Sequence, residues 1–357
     1  MAGRTVTIKD VAVAAGVAES TVSRVLSGTE TLIPISADTR QRVLKAARDL
    51  AYRANPGARL LRGKGVNLLG VIVSEIDDPF HAHLTDALGA AAANAGYDLL
   101  LGFARSDPAE ARRLSEVLDP RFCDGLFLVG DLRETAEDLS FLEIVRGQMP
   151  LILVCRGHHE LVGPYPSVGI DNHAAMRLAL DHLWTLGHRR IGFIGSGRLG
   201  DLWERRMAYI AYMAGCGAPA TPELIQPAVN SFEGGFAAME ALFALPEPPS
   251  AICTADDTMA IGALKAAHVR GVRVPEELSI VGFDNMDMAR FVHPALTTIN
   301  QSVAEIADAA VALFLKMVRG ELALADSSHI ITQGQLVIRE STQPCQVTDK
   351  TSRGDTL

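Results

Sequence analysis

Cysteine is scarce in this sequence, and its spacing is not that of a structural site. The 357 residues include five Cys side chains, and no two of them form a Cys-X-X-Cys pair. An odd, scattered set disfavours a disulfide framework and a zinc site, and it favours reduced thiols in a cytoplasm.

Long apolar runs are also missing. The first ten residues, MAGRTVTIKD, contain no apolar signal core, and no apolar run further along is long enough to span a bilayer. A secreted or periplasmic protein is therefore disfavoured, no membrane partner is predicted, and we expect a cytoplasmic location.

Enzyme motifs are absent as well. The segment GSGRLGD at 195–201 follows an apolar run but has the glycine spacing of neither phosphate-binding motif. The pairs His158-His159 and His81/His83 lack further metal ligands at suitable spacing, so solvated surfaces explain them. With no nucleophile–base pair either, the sequence predicts no catalytic residue, no metal, no cofactor and no enzymatic activity.

The charge of the chain is divided unevenly. Residues 1–65 carry eleven Lys and Arg against five Asp and Glu, a net charge of +6, whereas the rest carries 22 against 37, a net charge of −15. A small basic head on an acidic body is typical of a DNA reader joined to another domain, although a basic solvated face has the same composition. With 48% hydrophobic residues, the chain should be globular, and its length suggests two or three domains.

The basic head shows a helical pattern. Apolar positions predict a helix over 8–15, which Gly16 ends, and a second over 19–26. A third helix is predicted to begin at Ser36, a good N-cap, and to continue through about residue 52.

From residue 67 onward, strands and helices alternate. Strands that are apolar throughout, separated by helical patterns, indicate parallel sheets covered on both faces. The length suits two doubly wound subdomains better than an eight-fold barrel, the main structural rival. The predicted strands are LLGVIV (68–73), YDLLLGF (97–103), DGLFLVG (124–130), PLILVC (150–155), SVGID (167–171), RIGFIG (190–195), SAICTA (250–255) and LSIVGF (278–283).

The most specific motif is TIKDVAVAAGVAESTVSRVLSG at 7–28. Two short helices joined by a tight turn, with Thr21, Ser23 and Arg24 on the exposed side of the second, are the construction of a helix-turn-helix; an ordinary αα-hairpin is the alternative. The motif resembles the headpiece of LacI/GalR repressors. The resemblance continues in order through TRQRVLKAARDLAY, LGVIV with DPF, LGHRRIGFIG, TADDTMAIGALKA, RVPEELSIVGFDN and PALTTINQS.

The resemblance implies an all-α headpiece at 1–54, a hinge helix at 55–65 and a periplasmic-binding-protein-like α/β core at 66–345. The core would consist of an N-terminal subdomain (66–169 plus 300–328) and a C-terminal subdomain (170–299 plus 329–345). The polar residues 346–357 are expected to be a disordered tail.

It also implies a regulator whose homodimer binds double-stranded operator DNA under the control of a small effector, often a sugar or a nucleobase. We expect a repressor; an activator, and inducer or corepressor control, remain open on this scaffold. The lack of a C-terminal heptad segment favours a dimer over a tetramer. The alternatives are a cytoplasmic solute-binding protein and a sugar-modifying α/β enzyme.

By position, the family's base-reading residues correspond here to Glu19, Ser20 and Arg24, and its minor-groove wedge to Leu61. Arg can bind guanine through two hydrogen bonds and Glu can accept from cytosine, although Glu19 at a helix N-terminus could equally be a cap. The expected phosphate contacts are Thr7, Thr21, Ser23, Ser27 and Arg59.

The headpiece departs from the family in three places. Ala18 stands where many relatives have Ser, the loop at 27–35 is longer than usual and of unclear role, and Gly57 lowers the helix propensity of the hinge. We expect the hinge to become ordered only on DNA.

In the core, the resemblance places the effector between the subdomains, at the carboxyl ends of strands. Carboxylates and guanidinium groups suit paired hydroxyls, and an aromatic face suits a sugar ring. Asp171 and Asp257 could be ligands or helix caps, and Trp203 could stack or only pack. Cys155 replaces an Asp that is frequent in relatives, so the ligand of a relative cannot be assigned to this pocket. The predicted effector residues are Asp77, Asp78, Phe80, Arg156, Asp171, Arg205, Asp256 and Asp284.

Overall fold

A computed structural model describes residues 6–27, 34–52, 65–132, 140–155, 157, 165–195 and 200–346. Two compact units can be distinguished, Met1–Val66 and Asn67–Leu357. The predicted hinge apart from Gly65, most of the loop at 27–35 and nearly all of the predicted tail lie outside the described residues. None of the described helices is long and apolar enough to cross a bilayer.

The first unit contains three described helices around a small apolar core. Val11, Val22, Val25 and Val43 are almost completely buried, and each helix contributes at least one of them. In each helix the buried residues are spaced as on one face, for example Val22 and Val25, or Val43 with Ala46 and Ala47, which explains why three short helices bury a common centre. The helices are α1 (Ile8–Ala15), α2 (Glu19–Ser27) and α3 (Ala37–Asp49).

The ends of these helices follow from local chemistry. Thr7 and Asp10 form a capping box, in which the Asp10 N–H donates to Thr7 Oγ1 and the Thr7 N–H donates to Asp10 Oδ2 at 2.8 Å. Gly16 ends α1 in the left-handed conformation, with φ of 65°. Ser36 accepts a hydrogen bond from the Thr39 N–H at 3.2 Å, so it is the N-cap that the sequence predicts.

The second unit contains two six-stranded sheets in its described part. One sheet has the order β11-β5-β4-β3-β1-β2 and is parallel; the other has the order β12-β10-β9-β8-β6-β7, with only β12 antiparallel. The strands are β1 (Leu68–Val73), β2 (Asp98–Phe103), β3 (Gly125–Val129), β4 (Leu151–Val154), β5 (Ser167–Ile170), β6 (Ile191–Ile194), β7 (Ile225–Gln226), β8 (Ala251–Thr254), β9 (Ser279–Asp284), β10 (Thr297–Asn300), β11 (His329–Thr332) and β12 (Gln335–Val337).

Helices cover these sheets and give each subdomain its own apolar core. The inner strands are buried along their whole length, as expected for parallel sheets with helices on both faces. The helices are α4 (Pro79–Asn94), α5 (Pro108–Val117), α6 (Ser140–Arg146), α7 (Asn172–Thr185), α8 (Gly200–Gly215), α9 (Phe232–Phe243), α10 (Asp257–Arg270) and α11 (Val303–Val318).

The chain passes between the subdomains three times. It leaves the first sheet after β5, returns after β10 to form α11, which packs against α4, and leaves again after β11. Because β11 pairs with β5, the last crossing follows Thr332 and does not come at residue 329, where the sequence analysis places it. Since residues 329–332 alternate between exposed and half-buried positions, their pattern alone does not say which sheet they join.

Candidate functional site

One face of α2 is buried and the opposite face is available to a partner. Val22 and Val25 pack inward, whereas Glu19 and Ser20 are exposed. Thr21, Ser23 and Arg24 are half-buried. Ser20 and Arg24 are four residues apart and therefore lie on the same side of the helix, as a helix that reads a groove requires.

The other predicted DNA contacts have different outcomes. Thr7 donates its hydroxyl to Asp10 Oδ2 at 2.7 Å, so this group takes part in the helix cap, a role that the sequence analysis misses. The side chain of Ser27, together with Arg59 and Leu61, lies outside the described residues.

The candidate effector cleft is built around Arg205, which α8 carries in its second turn. The side chain is 3% exposed, and its guanidinium carbon lies 3.7 Å from the centre of the Phe283 ring. Nε donates to Asn172 Oδ1 at 2.9 Å, and Nη1 donates to the Ala255 carbonyl at 2.7 Å and to Asp284 at 3.2 Å. Among the described residues, no group accepts a hydrogen bond from Nη2, so this nitrogen can donate to a ligand.

Asp284 ends β9 beside this guanidinium. Its backbone has φ of 108°, a conformation in which side chains other than Gly are rare. Its carboxylate also accepts from Gln301 Nε2 at 2.5 Å, and burial raises the pKa of this carboxyl although Arg205 opposes the shift. Gln301 Oε1 is buried and has no partner within the described part of the chain.

Asp256 supplies a second unsatisfied acceptor. One of its oxygens caps α10 by accepting from the Met259 N–H at 2.7 Å, whereas Oδ2 is buried without a partner among the described residues. The pKa of this carboxyl is raised to about 7, chiefly by burial; the charge of Asp78 across the cleft adds to the rise, whereas the Met259 N–H and Arg205 oppose it.

Asn172 joins Arg205 to two more acids. Its Nδ2 donates to Asp201 Oδ1 and to Glu204 Oε2, both at 2.8 Å. All three residues are buried. Asn172 thus fixes the guanidinium from one side and the acids of α8 from the other, so the wall of the C-terminal subdomain is a connected hydrogen-bond network.

The N-terminal subdomain contributes Asp78, which caps α4 by accepting from the Phe80 N–H at 2.8 Å. Its second oxygen accepts from Asn230 Nδ2 at 3.2 Å across the cleft and lies 3.6 Å from His81 Nδ1. Ser74 Oγ, at the end of β1, is buried without a partner among the described residues.

The remaining predicted residues are not brought into this network. Asp77 is exposed, and Phe80 packs into the core of its subdomain. Asp171 caps α7 through the Ala174 N–H at 2.8 Å. Asp257 accepts from Thr298 and from the Met286 N–H, which is a structural role. Arg156 lies outside the described residues.

Several cleft residues escape the sequence analysis. Ser74, Asn172 and Gln301 follow β1, β5 and β10, so the strand-end rule that selects Asp78 and Asp284 could have found them. Glu204 carries no such signal, because it lies inside a helix. Within the described ranges, no group of three His, Cys, Asp or Glu side chains could hold a metal ion.

Family models match both units of the chain. A model of bacterial regulatory proteins of the lacI family matches residues 7–55, and a model of a periplasmic binding protein-like domain matches residues 180–342. The HTH-type transcriptional repressor CytR of Escherichia coli strain K12 is 35% identical over 338 residues, which cover 94% of this chain and 96% of CytR.

Solved structures resemble the whole chain. The lac repressor dimer bound to operator and the anti-inducer ONPF has a TM-score of 0.82 at 24% identity, with 95% of this chain and 100% of that one covered. At this identity the likeness concerns the fold. The complex of the transcriptional regulator CelR with cellobiose has a TM-score of 0.69 at 26% identity, with 94% and 99% covered.

Proposed function

Because the chain belongs to the LacI family of bacterial regulatory proteins, we propose that an uncharged sugar or sugar derivative, bound in the cleft around Arg205, controls its affinity for operator DNA. The chain is a DNA-binding transcription regulator and not an enzyme.

The observation that carries the proposal is the set of unused hydrogen-bonding atoms in the cleft. Arg205 Nη2 is a donor without a described partner, and Asp256 Oδ2 and Gln301 Oε1 are buried acceptors without one. A buried polar atom left unpaired costs about 1–3 kcal/mol, so a ligand that pairs it is favoured. Sugar hydroxyls donate and accept at once, which matches this mixed set.

CelR, a structural relative, is solved with cellobiose, which supports a carbohydrate as the effector. An effector that also pairs with Ser74 Oγ, on the N-terminal subdomain, would favour one relative orientation of the two subdomains. Effector and DNA affinities must then change each other by the same factor.

A thermal-shift screen tests the effector class. The full-length protein is mixed with monosaccharides, disaccharides including cellobiose, sugar acids and nucleobases. A ligand at 100 times its Kd stabilises the native state by about 2.7 kcal/mol, and at least one neutral carbohydrate should do so. Stabilisation by nucleobases or sugar acids alone would contradict the proposal.

On the DNA side, we infer that a homodimer binds a two-fold operator in the cytoplasm, since the related lac repressor is solved as a dimer on operator. We assign base reading to Glu19, Ser20 and Arg24, backbone contacts to Thr21 and Ser23, and the minor-groove wedge to Leu61. The assignment of Arg24 is supported by its place beside Ser20 on the open face of α2.

Operator selection from a random DNA library tests this assignment. R24A should lose about 1–3 kcal/mol of discrimination at one base pair of each half-site. The control is R48A, on the last turn of α3. An R24A protein that keeps the wild-type base preference would show that Arg24 does not read bases.

A further inference from the structure

We propose that Asp131 is a clamp between the two subdomains, whose carboxylate holds the first turn of α8 and keeps the cleft closed. The clamp goes beyond the proposed function, because it is a contact between the subdomains themselves and does not depend on what the effector is.

The contact joins the end of a strand in one subdomain to the start of a helix in the other. Asp131 follows β3, on the N-terminal subdomain, and its Oδ2 accepts a hydrogen bond from the Asp201 N–H at 3.3 Å. The carboxylate lies directly against Gly200, where a Cβ atom would overlap it. Gly200 also has φ of 71°, so both space and conformation require glycine here.

Helix electrostatics favour this arrangement. The first N–H groups of α8 have no partner within the helix, and the N-terminus of a helix carries a partial positive charge. A carboxylate from the opposite subdomain satisfies one of these groups with a charge-assisted hydrogen bond. The bond therefore stabilises α8 only while the two subdomains are together.

A second strand end of the N-terminal subdomain contacts the same turn. Gly157, just after β4, has φ of 68°, and a Cβ atom on it would lie 2.8 Å from Glu204 Oε1 and 3.0 Å from the carbonyl carbon of Gly200. Two strand ends of one subdomain thus enclose the first turn of a helix in the other. This approach requires glycine at both 157 and 200, because a Cβ atom at either position would overlap the opposite subdomain.

A separate polar bridge crosses the cleft elsewhere, between Asn230 Nδ2 and Asp78 Oδ2. If the subdomains move as units, opening the cleft at Asp131 must also break this bridge. The two contacts should therefore open together, although they share no residue.

The clamp also acts on the position of Arg205. This residue lies one turn beyond Asp201 on α8, so a movement of the helix away from Asp131 moves the guanidinium with it. Asp131 is therefore a positioning residue. It changes the fraction of molecules in which the cleft is closed and Arg205 is in place.

Hydrogen exchange followed by mass spectrometry on the full-length, ligand-free protein tests the clamp. In D131A, amides in 200–206 should exchange about tenfold faster or more, because the charge-assisted hydrogen bond to the Asp201 N–H is lost. Amides in 75–81 and 228–232 should accelerate with them, because the second bridge opens too. D131N retains an acceptor oxygen but loses the charge, so its exchange should lie between those of D131A and wild type.

The control is D107A, which removes the cap that Asp107 provides to α5 within a single subdomain. It should accelerate exchange near α5 only. If D131A accelerates exchange at 200–206 alone, Asp131 is only a local cap and the clamp is wrong. Unchanged exchange in 200–206, 75–81 and 228–232 would also contradict the clamp.

G157A provides a second route to the same answer if D131A does not fold. The added methyl group would press against Glu204 and separate the subdomains without changing Asp131. Faster exchange at both 200–206 and 228–232 supports the clamp, whereas acceleration confined to the neighbourhood of residue 157 overturns it.

Discussion

On the C-terminal side of the cleft, Arg205, Asp284 and Asn172 are buried and hydrogen-bonded to one another, whereas on the N-terminal side Asp77 is exposed and Asp78 caps a helix. The geometry of the C-terminal side is maintained by its own hydrogen-bond network. The N-terminal side makes only a few contacts to the other subdomain, and these exist only while the two subdomains are together. We therefore expect substitutions in the C-terminal wall to affect both folding and binding, and those in the N-terminal wall mainly closure.

The largest effect should come from R205A. Removing the guanidinium leaves Asp284 buried without its charge partner, and breaking a buried pair in this way costs about 3–5 kcal/mol. Urea denaturation measures the loss, with R177A, an exposed position on α7, as the control. A loss of less than 1 kcal/mol would mean that the wall is not organised around Arg205.

At Asp256 a substitution should stabilise the protein. Its carboxyl has a pKa of about 7 when folded, above the unfolded value of about 3.9, so the unfolded state loses its proton first as pH rises. The carboxyl thus destabilises the fold progressively between about pH 4 and pH 7.

D256N keeps the oxygen that caps α10 and removes the charge. Because the buried charge destabilises the fold above pH 7, this variant should raise the free energy of unfolding by about 2–4 kcal/mol at pH 8. Near pH 4 the gain should disappear. Urea denaturation at both pH values checks the sign, and an equal gain at both would show that charge is not the cause.

D284N should weaken the binding of the carbohydrate found in the thermal-shift screen, because Asp284 Oδ2, to which no described group donates, can accept from a hydroxyl. The expected loss is about 1.5–3 kcal/mol, the range for hydrogen bonds to charged groups, while operator binding persists. Calorimetry gives the affinity, and D287A, on the exposed turn after β9, is the control. If D284N binds the carbohydrate as tightly as wild type, Asp284 serves only the network of the wall.

In the other wall, D78A should cost about 1 kcal/mol through the lost cap of α4. N230A removes the bridge to Asp78 and leaves the cap intact, so the difference between the two variants isolates the cap. Urea denaturation measures both. Equal losses would mean that the bridge, and not the cap, dominates at Asp78.

The smallest effect should follow D77A, because an exposed side chain outside any network changes stability by about 0.5 kcal/mol or less. Its carbohydrate affinity, measured by calorimetry beside D78A, should match wild type. A large loss of affinity in D77A would show that the N-terminal wall binds the effector through residues that the closed cleft leaves exposed.

Sequence patterns predict the elements that depend on local chemistry, but β7, β10, β11 and β12 are not among the predicted strands. Of these, β7, β11 and β12 are short and partly exposed, so they lack the apolar run that marks a buried strand. The helix over 8–15 ends where Gly16 allows a left-handed residue, and the apolar runs correspond to buried parallel strands. The fold class is as expected, with a helical headpiece and two doubly wound subdomains. The crossing at Thr332 is not predictable in the same way, because pairing with β5 is a long-range choice.

The cleft is predictable in part. The resemblance and the strand-end rule select Asp78, Arg205, Asp256 and Asp284, which the structure brings together. Phe80 also follows a strand but faces the core, since the first turn of α4 packs against its own sheet. The contact between Asp131 and Gly200 is the hardest to foresee, because it depends on the distance between two subdomains.

The three crossings between the subdomains also determine the order in which the protein can be completed during synthesis. The sheet that begins with β1 receives its edge strand β11 and its covering helix α11 only after the whole second sheet except β12 has been translated. A nascent chain that ends near residue 300 therefore carries an open strand edge at β5 and an uncovered apolar face on α4. The headpiece, with its own core, can fold as soon as it leaves the ribosome, whereas the first sheet, although nearer to it in sequence, must wait until Thr332 at the end of β11 has been translated.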